Sequence, residues 1–166
     1  WMPIFFYPEK FQQVWGDALK AGYAKRDASR PPMDISAGGM LAIDESLTGE
    51  DQQKVLDFAR PSTALYVGGM GARGKNFYND ICKSYGYEKE AVEIQDLYLD
   101  GKKQEAAAKV PSEWLLNSHL VGPKNFVKER LAAFKEAGVT VISVNPIGPD
   151  AVQQVELLRS LIDDVR

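Results

Sequence analysis

In Gly69-Met70-Gly71-Ala72-Arg73-Gly74-Lys75-Asn76, residue types and spacing come closest to a recognisable chemistry. The segment fits G-x-x-x-x-G-K, the loop that cradles phosphates, up to the position where a Ser or Thr hydroxyl would meet Mg²⁺. Asn76 stands there instead. Thr63-Ala64-Leu65-Tyr66-Val67 could pass for the preceding strand, and Met40-Leu41-Ala42-Ile43-Asp44-Glu45 imitates an apolar run ending in a metal-holding Asp. That run precedes the loop, however, which reverses the usual order. A glycine-rich break between two helices is the simpler reading. Arg73, Lys75 and Asn76 remain candidates to hold an anionic group of substrate or cofactor, against the alternative of a solvated loop. Tyr66, Phe77 and Tyr78 read as packing residues of the same segment rather than as a ring-stacking wall.

The other chemically able side chains are scattered. His119 is the only histidine and lies in a polar stretch beside Asn117-Ser118, so no metal cluster is expected, and a proton-transfer role is a minor alternative. Cys82, the single cysteine, shares a helical face with Ile81 and Tyr85 and reads as buried and inert. Asp44-Glu45 begin a polar connection, a position that can also carry a general acid. Lys102-Lys103-Gln104-Glu105 reads as a solvated helix face.

The elements that would position these residues follow a βα rhythm. Gly122 to Pro149 is one helix-then-strand unit. Pro123 suits a first helical position, Val127, Leu131 and Phe134 form one apolar stripe, and Gly138 supplies a left-handed stop. Val139 to Val144 then reads as a short β-branched strand covered on both faces. Two further strands are expected at Met2–Phe6 and Met33–Ile43, the latter interrupted by Gly38-Gly39. A helix with Phe11, Val14, Trp15, Ala18, Leu19 and Gly22 on one face follows the first. Asp150 can cap another, striped by Val152, Val155, Leu158, Leu161 and Ile162. Strands each followed by a helix imply a parallel sheet of α/β class. Between Ile43 and Gly122 the excursion far exceeds a loop of ~4–6 residues. Helices are expected near 51–66, 75–85, 89–100 and 102–110, as a helical insertion at about 46–121.

Composition bounds the function. Hydrophobic residues make up 45% and charged residues 26% of the 166, as in a folded soluble domain. A net charge of -3 argues against a nucleic-acid partner, and one cysteine excludes an internal disulfide and fits a reducing cytoplasm. No apolar run reaches the ~18 residues of a membrane span. The chain opens on Trp1-Met2-Pro3-Ile4, within an expected strand and without an initiator Met, so it is expected to be the back part of a longer protein.

WMPIFFYPEK at 1–10, AGGMLAI at 37–43, ALYVGGMGARGKNFYND at 64–80, IQDLYLDGKKQEAAAKVP at 94–111 and the tail from Leu120 to Asp150 resemble the luciferase-like oxidoreductases. Within that superfamily they resemble the C-terminal part of coenzyme F420-dependent enzymes of actinobacteria. The resemblance implies a (β/α)₈ TIM barrel, of which residues 1–166 would form a single incomplete domain: the last three βα units plus the helical insertion. It also implies hydride transfer between a deazaflavin and a small organic substrate, with coenzyme F420 as cofactor and FMN, the flavin of related monooxygenases, as the alternative. A deazaflavin carries carbon in place of the flavin N5 and so behaves as a two-electron hydride carrier, which the protein must orient and shield.

A whole barrel takes ~250 residues. A piece with three strands is expected to be inactive alone and to need the N-terminal barrel portion as partner; a non-catalytic assembly piece is the alternative of another class, and a homo-oligomer is expected. The catalytic acid or base is not identifiable in the chain. Barrel chemistry sits at the C-terminal ends of strands, which selects Phe6, Tyr7, Gly38, Gly39, Met40 and Asn145 as pocket candidates beside Arg73, Lys75 and Asn76. Gly38-Gly39 either lets a ring approach the backbone or marks a bulge.

Overall fold

The structure is a computed structural model and describes residues 1–164. The chain forms two compact units, one from residues 1–53 together with 116 onward, the other from Lys54 to Leu115.

In the first unit, the central strand is made of β1 (Ser36–Ala37) and β2 (Met40–Ile43), broken at Gly38-Gly39. Every pairing in the sheets is parallel: β1 with β4 (Val141–Ile142), and β2 with both β3 (Leu120–Gly122) and β5 (Asn145–Pro146). The break has a local cause. Gly38 has φ +151°, and a Cβ there would overlap the Ser143 carbonyl oxygen, so only glycine lets the two strands lie this close.

The backbone groups of the central strand can be accounted for edge by edge. On one edge the carbonyls of Ile35, Ala37, Gly39 and Leu41 accept in turn from Val141, Ser143, Asn145 and Ile147, at 2.8–3.1 Å. On the other edge Ser36 N–H donates to Trp1 C=O at 2.9 Å, Met40 N–H to His119 Nδ1 at 3.2 Å, and Asp44 N–H to Gly122 C=O at 3.2 Å. β3 therefore completes the half of that edge which Trp1 leaves open.

Three helices accompany this sheet: α1 (Phe11–Ala24), α8 (Lys124–Glu136) and α9 (Ala151–Asp164). Their apolar faces meet the strands in one core containing Phe11, Leu41, Leu120, Val127, Phe134 and Leu158. Gly138, at φ +92°, ends α8 as its sequence position implies, and Asp150 Oδ1 accepts from Gln153 N–H at 2.9 Å to cap α9. Pro123 stands one place earlier than expected, as the N-cap of α8.

Two strand expectations fail in this unit. Met2–Phe6 is not a strand: the chain turns at Ile4-Phe5, where Phe5 takes φ +62°. Val139–Val144 holds only the two-residue strand β4, with β5 following just beyond it, and β4 is not covered on both faces, since Val141 is 45% exposed. α9 likewise buries Leu158 and Leu161 but leaves Val152 at 69% and Val155 at 46% exposure. β-branched residues pack well on a sheet wherever it lies, so their presence does not by itself report burial.

The second unit is helical. The end of α2 (Gly49–Leu56) leads through a 3₁₀ turn into α3 (Arg60–Ala64) and a π-helix at Leu65–Gly69, then α4 (Phe77–Ser84), α5 (Glu88–Leu99), α6 (Lys103–Ala108) and the start of α7 (Ser112–Ser118). Thr63–Val67, a strand under the P-loop reading, is helical. Its core gathers Leu56, Val67, Cys82, Ile94 and Trp114, with Tyr85 set edge-on to Trp114 at 5.6 Å. Burial pushes the Cys82 thiol up to about 12, so the sulfur is protonated and inert.

Candidate functional site

Parallel strands deliver their C-terminal ends to one side of a sheet, and ligands of α/β proteins bind outside those ends. The register Ile43↔Gly122 and Leu41↔Pro146 brings Ile43-Asp44, Gly122-Pro123 and Pro146-Ile147 together there. Two glutamines brace this side. Beyond the last ladder bond, the Gln154 carboxamide takes both backbone groups of Ile43: Oε1 accepts from its N–H at 2.7 Å and Nε2 donates to its C=O at 3.2 Å. One side chain thus stands in for a neighbouring strand. Gln52 Nε2 donates to Val121 C=O at 2.7 Å. Gly122, at φ +146°, leaves room for it, since a Cβ there would lie 2.7 Å from that nitrogen.

The turn after β2 carries the site's charge. Asp44 Oδ1 accepts from Ser46 Oγ at 2.6 Å and Ser46 N–H at 2.8 Å, and these bonds hold the Asp44 carboxyl below the usual range. Glu45 Oε1 faces Lys124 N–H, the first residue of α8, at 3.4 Å. No side chain of the N-cap residue satisfies this helix end. Free amides and the helix dipole favour an anion there, and a long bond to an exposed carboxylate is one that another anion can replace.

The sequence-selected residues take varied places. Phe6 is 3% exposed, between Phe11 at 5.0 Å and a stacked Phe134 at 5.7 Å, so its ring belongs to the core. Tyr7 is equally buried, and its hydroxyl accepts from Asn117 Nδ2 at 3.2 Å. Asn117 in turn gives its carbonyl to Arg130 Nη2 at 2.8 Å, while Arg130 grips Glu9 through both carboxylate oxygens, at 2.5 and 3.0 Å. Met40 is buried at the start of β2, beside the exposed Asn145 of β5. A ring does approach Gly39 closely, and it is the protein's own: a Cβ on Gly39 would lie 2.8 Å from His119 Cε1 and closer still to Nδ1. His119 is therefore no polar-loop residue. Desolvation pulls its imidazole down to about 4, and the bond from Met40 N–H requires a neutral ring with its proton on Nε2.

In the helical unit, Arg73 Nε holds Asp96 Oδ1 at 2.6 Å, with Asp100 at 4.0 Å from Nη2, so its charge is answered within the unit. Lys75 is exposed. Asn76 is 1% exposed and fully engaged as the N-cap of α4. Its Oδ1 accepts from Tyr78 and Asn79 N–H, and its Nδ2 donates to the carbonyls of Tyr66 and Val67 at 2.9 and 3.0 Å. Asn at this position thus reflects helix capping. Tyr66 and Tyr78 meet edge-on at 4.8 Å, as packing residues do. Sequence reasoning passed over Gln52 and Gln154, whose partners are backbone atoms remote in the chain; no local pattern marks such a residue.

Comparison with known proteins fits this geometry. Residues 1–141 match the luciferase-like monooxygenase family. A protein of Mycobacterium tuberculosis named "Putative coenzyme F420-dependent oxidoreductase" is 30% identical over 158 residues, 95% of this chain and 44% of that protein. The coenzyme F420-dependent tetrahydromethanopterin reductase of Methanopyrus kandleri has a similar fold, with TM-score 0.60 and 21% identity, over 95% of this chain and 42% of that one. The chain spans less than half the length of either protein. Its parallel strands, its helical second unit and its sequence from Trp1 to Val141 make it a member of the luciferase-like monooxygenase family.

Proposed function

We propose that this chain is the C-terminal portion of a coenzyme F420-dependent oxidoreductase, whose whole transfers hydride between the deazaflavin and a small organic substrate. The observation that carries the reading is 30% identity, sustained over 95% of the chain, to a protein named for that cofactor. The site chemistry supports it. F420 is an anionic molecule, and the first turn of α8, at the C-terminal end of β3, offers free amides now faced only by Glu45. Lys124 stands at the same place, and Asn145 is an exposed donor and acceptor on β5, across β2 from β3. When bound, the cofactor would supply the hydride-accepting carbon; this chain's part is to hold its anionic end and to keep the strand ends fixed through Gln52 and Gln154.

The remaining contacts would come from a partner portion of the barrel, without which we expect no turnover. Three strands give the ring of a deazaflavin no closed wall. Titration of the assembled protein, followed by fluorescence quenching, tests the assignment. F420 should bind well ahead of FMN; preference for FMN would move the protein to the flavin-dependent branch of the family. Among the described residues no helix is long and apolar enough to cross a membrane.

A further inference from the structure

The helical unit contains a cleft of about 350 Å³, lined by Pro61, Ser62, Leu65, Tyr98, Lys103 and Ala107. That volume lies at the lower end of the ~300–1,000 Å³ of small-molecule sites. Its construction is unusual for a surface groove. Leu65 on one wall opens the π-helix Leu65–Gly69, a rare element that tends to mark functional positions. Tyr98 is pressed into that wall: a Cβ on Gly68 would lie 2.5 Å from Tyr98 Cβ, and one on Gly69 would lie 2.9 Å from Cδ1. Two successive glycines are thus needed to seat one ring, which fixes Tyr98 as a rigid floor. Lys103 Nζ stands over the same ring, 5.6 Å from its centre.

Among the described residues no carboxylate answers the charge at the rim. Lys83, Lys89 and Lys109 of this unit each face a carboxylate, Asp80 or Glu93. Lys103 forms no ion pair among the described residues, although Glu105 lies two places on in the same helix. Leu65, beside it, leaves 40% of its surface open. An apolar trough with one unanswered cation at its edge matches an amphipathic anion, whose body displaces water and whose head meets the ammonium.

We propose that the cleft between α3, α5 and α6 binds a small organic carboxylate, with its apolar body against Leu65, Tyr98 and Ala107 and its head at Lys103. The site lies wholly within the helical unit and does not depend on the cofactor assignment. A diazirine analogue of octanoate, crosslinked to the protein and mapped by peptide mass spectrometry, tests it, with octanoate and 1-octanol as competitors. Labelling should fall on peptides containing residues 61–65, 98 and 103–107, and octanoate should compete at lower concentration than octanol. Lys103→Gln, a change at an exposed position, should weaken octanoate competition about two- to fivefold, the range of an exposed ion pair, and leave octanol unchanged. Ala107→Trp, which fills the trough, should abolish labelling there. Labelling spread elsewhere, or an octanoate-to-octanol ratio unaltered by Lys103→Gln, or undiminished labelling of Ala107→Trp, would overturn the proposal.

Discussion

Gly39→Ala decides whether the space beside the central strand belongs to the protein or to a bound ring. The added Cβ would lie 2.8 Å from His119 Cε1 and 3.0 Å from Ser118 C=O, so the imidazole must leave its seat. Overpacking of this kind costs about 1–3 kcal/mol. Expelling the ring also strips Met40 N–H of its acceptor, and a buried orphan donor costs a further ~1–3 kcal/mol. Gly39→Ala should therefore destabilise by about 2–6 kcal/mol. His119→Ala removes the acceptor without the clash and should cost only the second part, ~1–3 kcal/mol. In the double variant the Cβ finds the imidazole gone and must accommodate only the Ser118 carbonyl. It should be more stable than Gly39→Ala alone by about 1–3 kcal/mol. Urea denaturation of the assembled protein, at one fixed concentration and with the slope m unchanged, measures all three. Strictly additive single effects would show that His119 does not occupy this space, as would a Gly39→Ala variant as stable as its parent, and the gap would again be open to a ligand.

Gln154→Ala should free the Ile43 amide, so that its hydrogen exchange accelerates on the order of fivefold to a hundredfold for the ~1–3 kcal/mol lost with a buried donor; unchanged protection at Ile43 would mean that the carboxamide does not replace a strand. His119, whose folded pKa is lowered to about 4 from 6.5, contributes stability that is fully present above pH 6.5 and lost as pH falls towards 4, and a urea midpoint followed over that window should lose this dependence in His119→Gln. Arg73→Ala, at an exposed residue already answered by Asp96, should leave stability almost unaltered; a marked fall in cofactor or substrate affinity in the assembled protein would show that the loop also serves an anion. With strand edges open and Val141, Val152 and Val155 exposed, the isolated chain should self-associate in light scattering, and a dilute monomer with a cooperative melt would refute that expectation.

What was legible in the sequence was local. The helices of the second unit fall close to where their breakers place them: Gly86, Gly101 and Pro111 each separate elements, and Gly86 and Gly101 take positive φ. The interruption of the central strand at Gly38-Gly39 was visible for the same reason, since a residue without Cβ is itself the signal. Apolar pattern misled where it was asked to report tertiary surroundings. Met2–Phe6 is rich enough in apolar residues for a strand, yet its pairing depends on an edge that β3 shares with Trp1. Leu120–Gly122 is too short to show any period, although it pairs with the most buried strand of the sheet.

The candidate site divides along the same line. Asn76 and Arg73 were selected because their types and spacing imitate a phosphate loop, but each type has a second use: Asn caps helices, and Arg pairs with acids one turn apart on a neighbouring helix. The residues that shape the strand ends, Gln52, Gln154 and His119, act on backbone groups 69 to 111 positions away. A side chain that completes a ladder needs only the right length and one donor or acceptor, so many sequences satisfy it and none announces it. Such residues are found only when each buried N–H and C=O of a strand is assigned a partner, and here that assignment puts His119 at the start and Gln154 at the end of β2 in the place of a neighbouring strand.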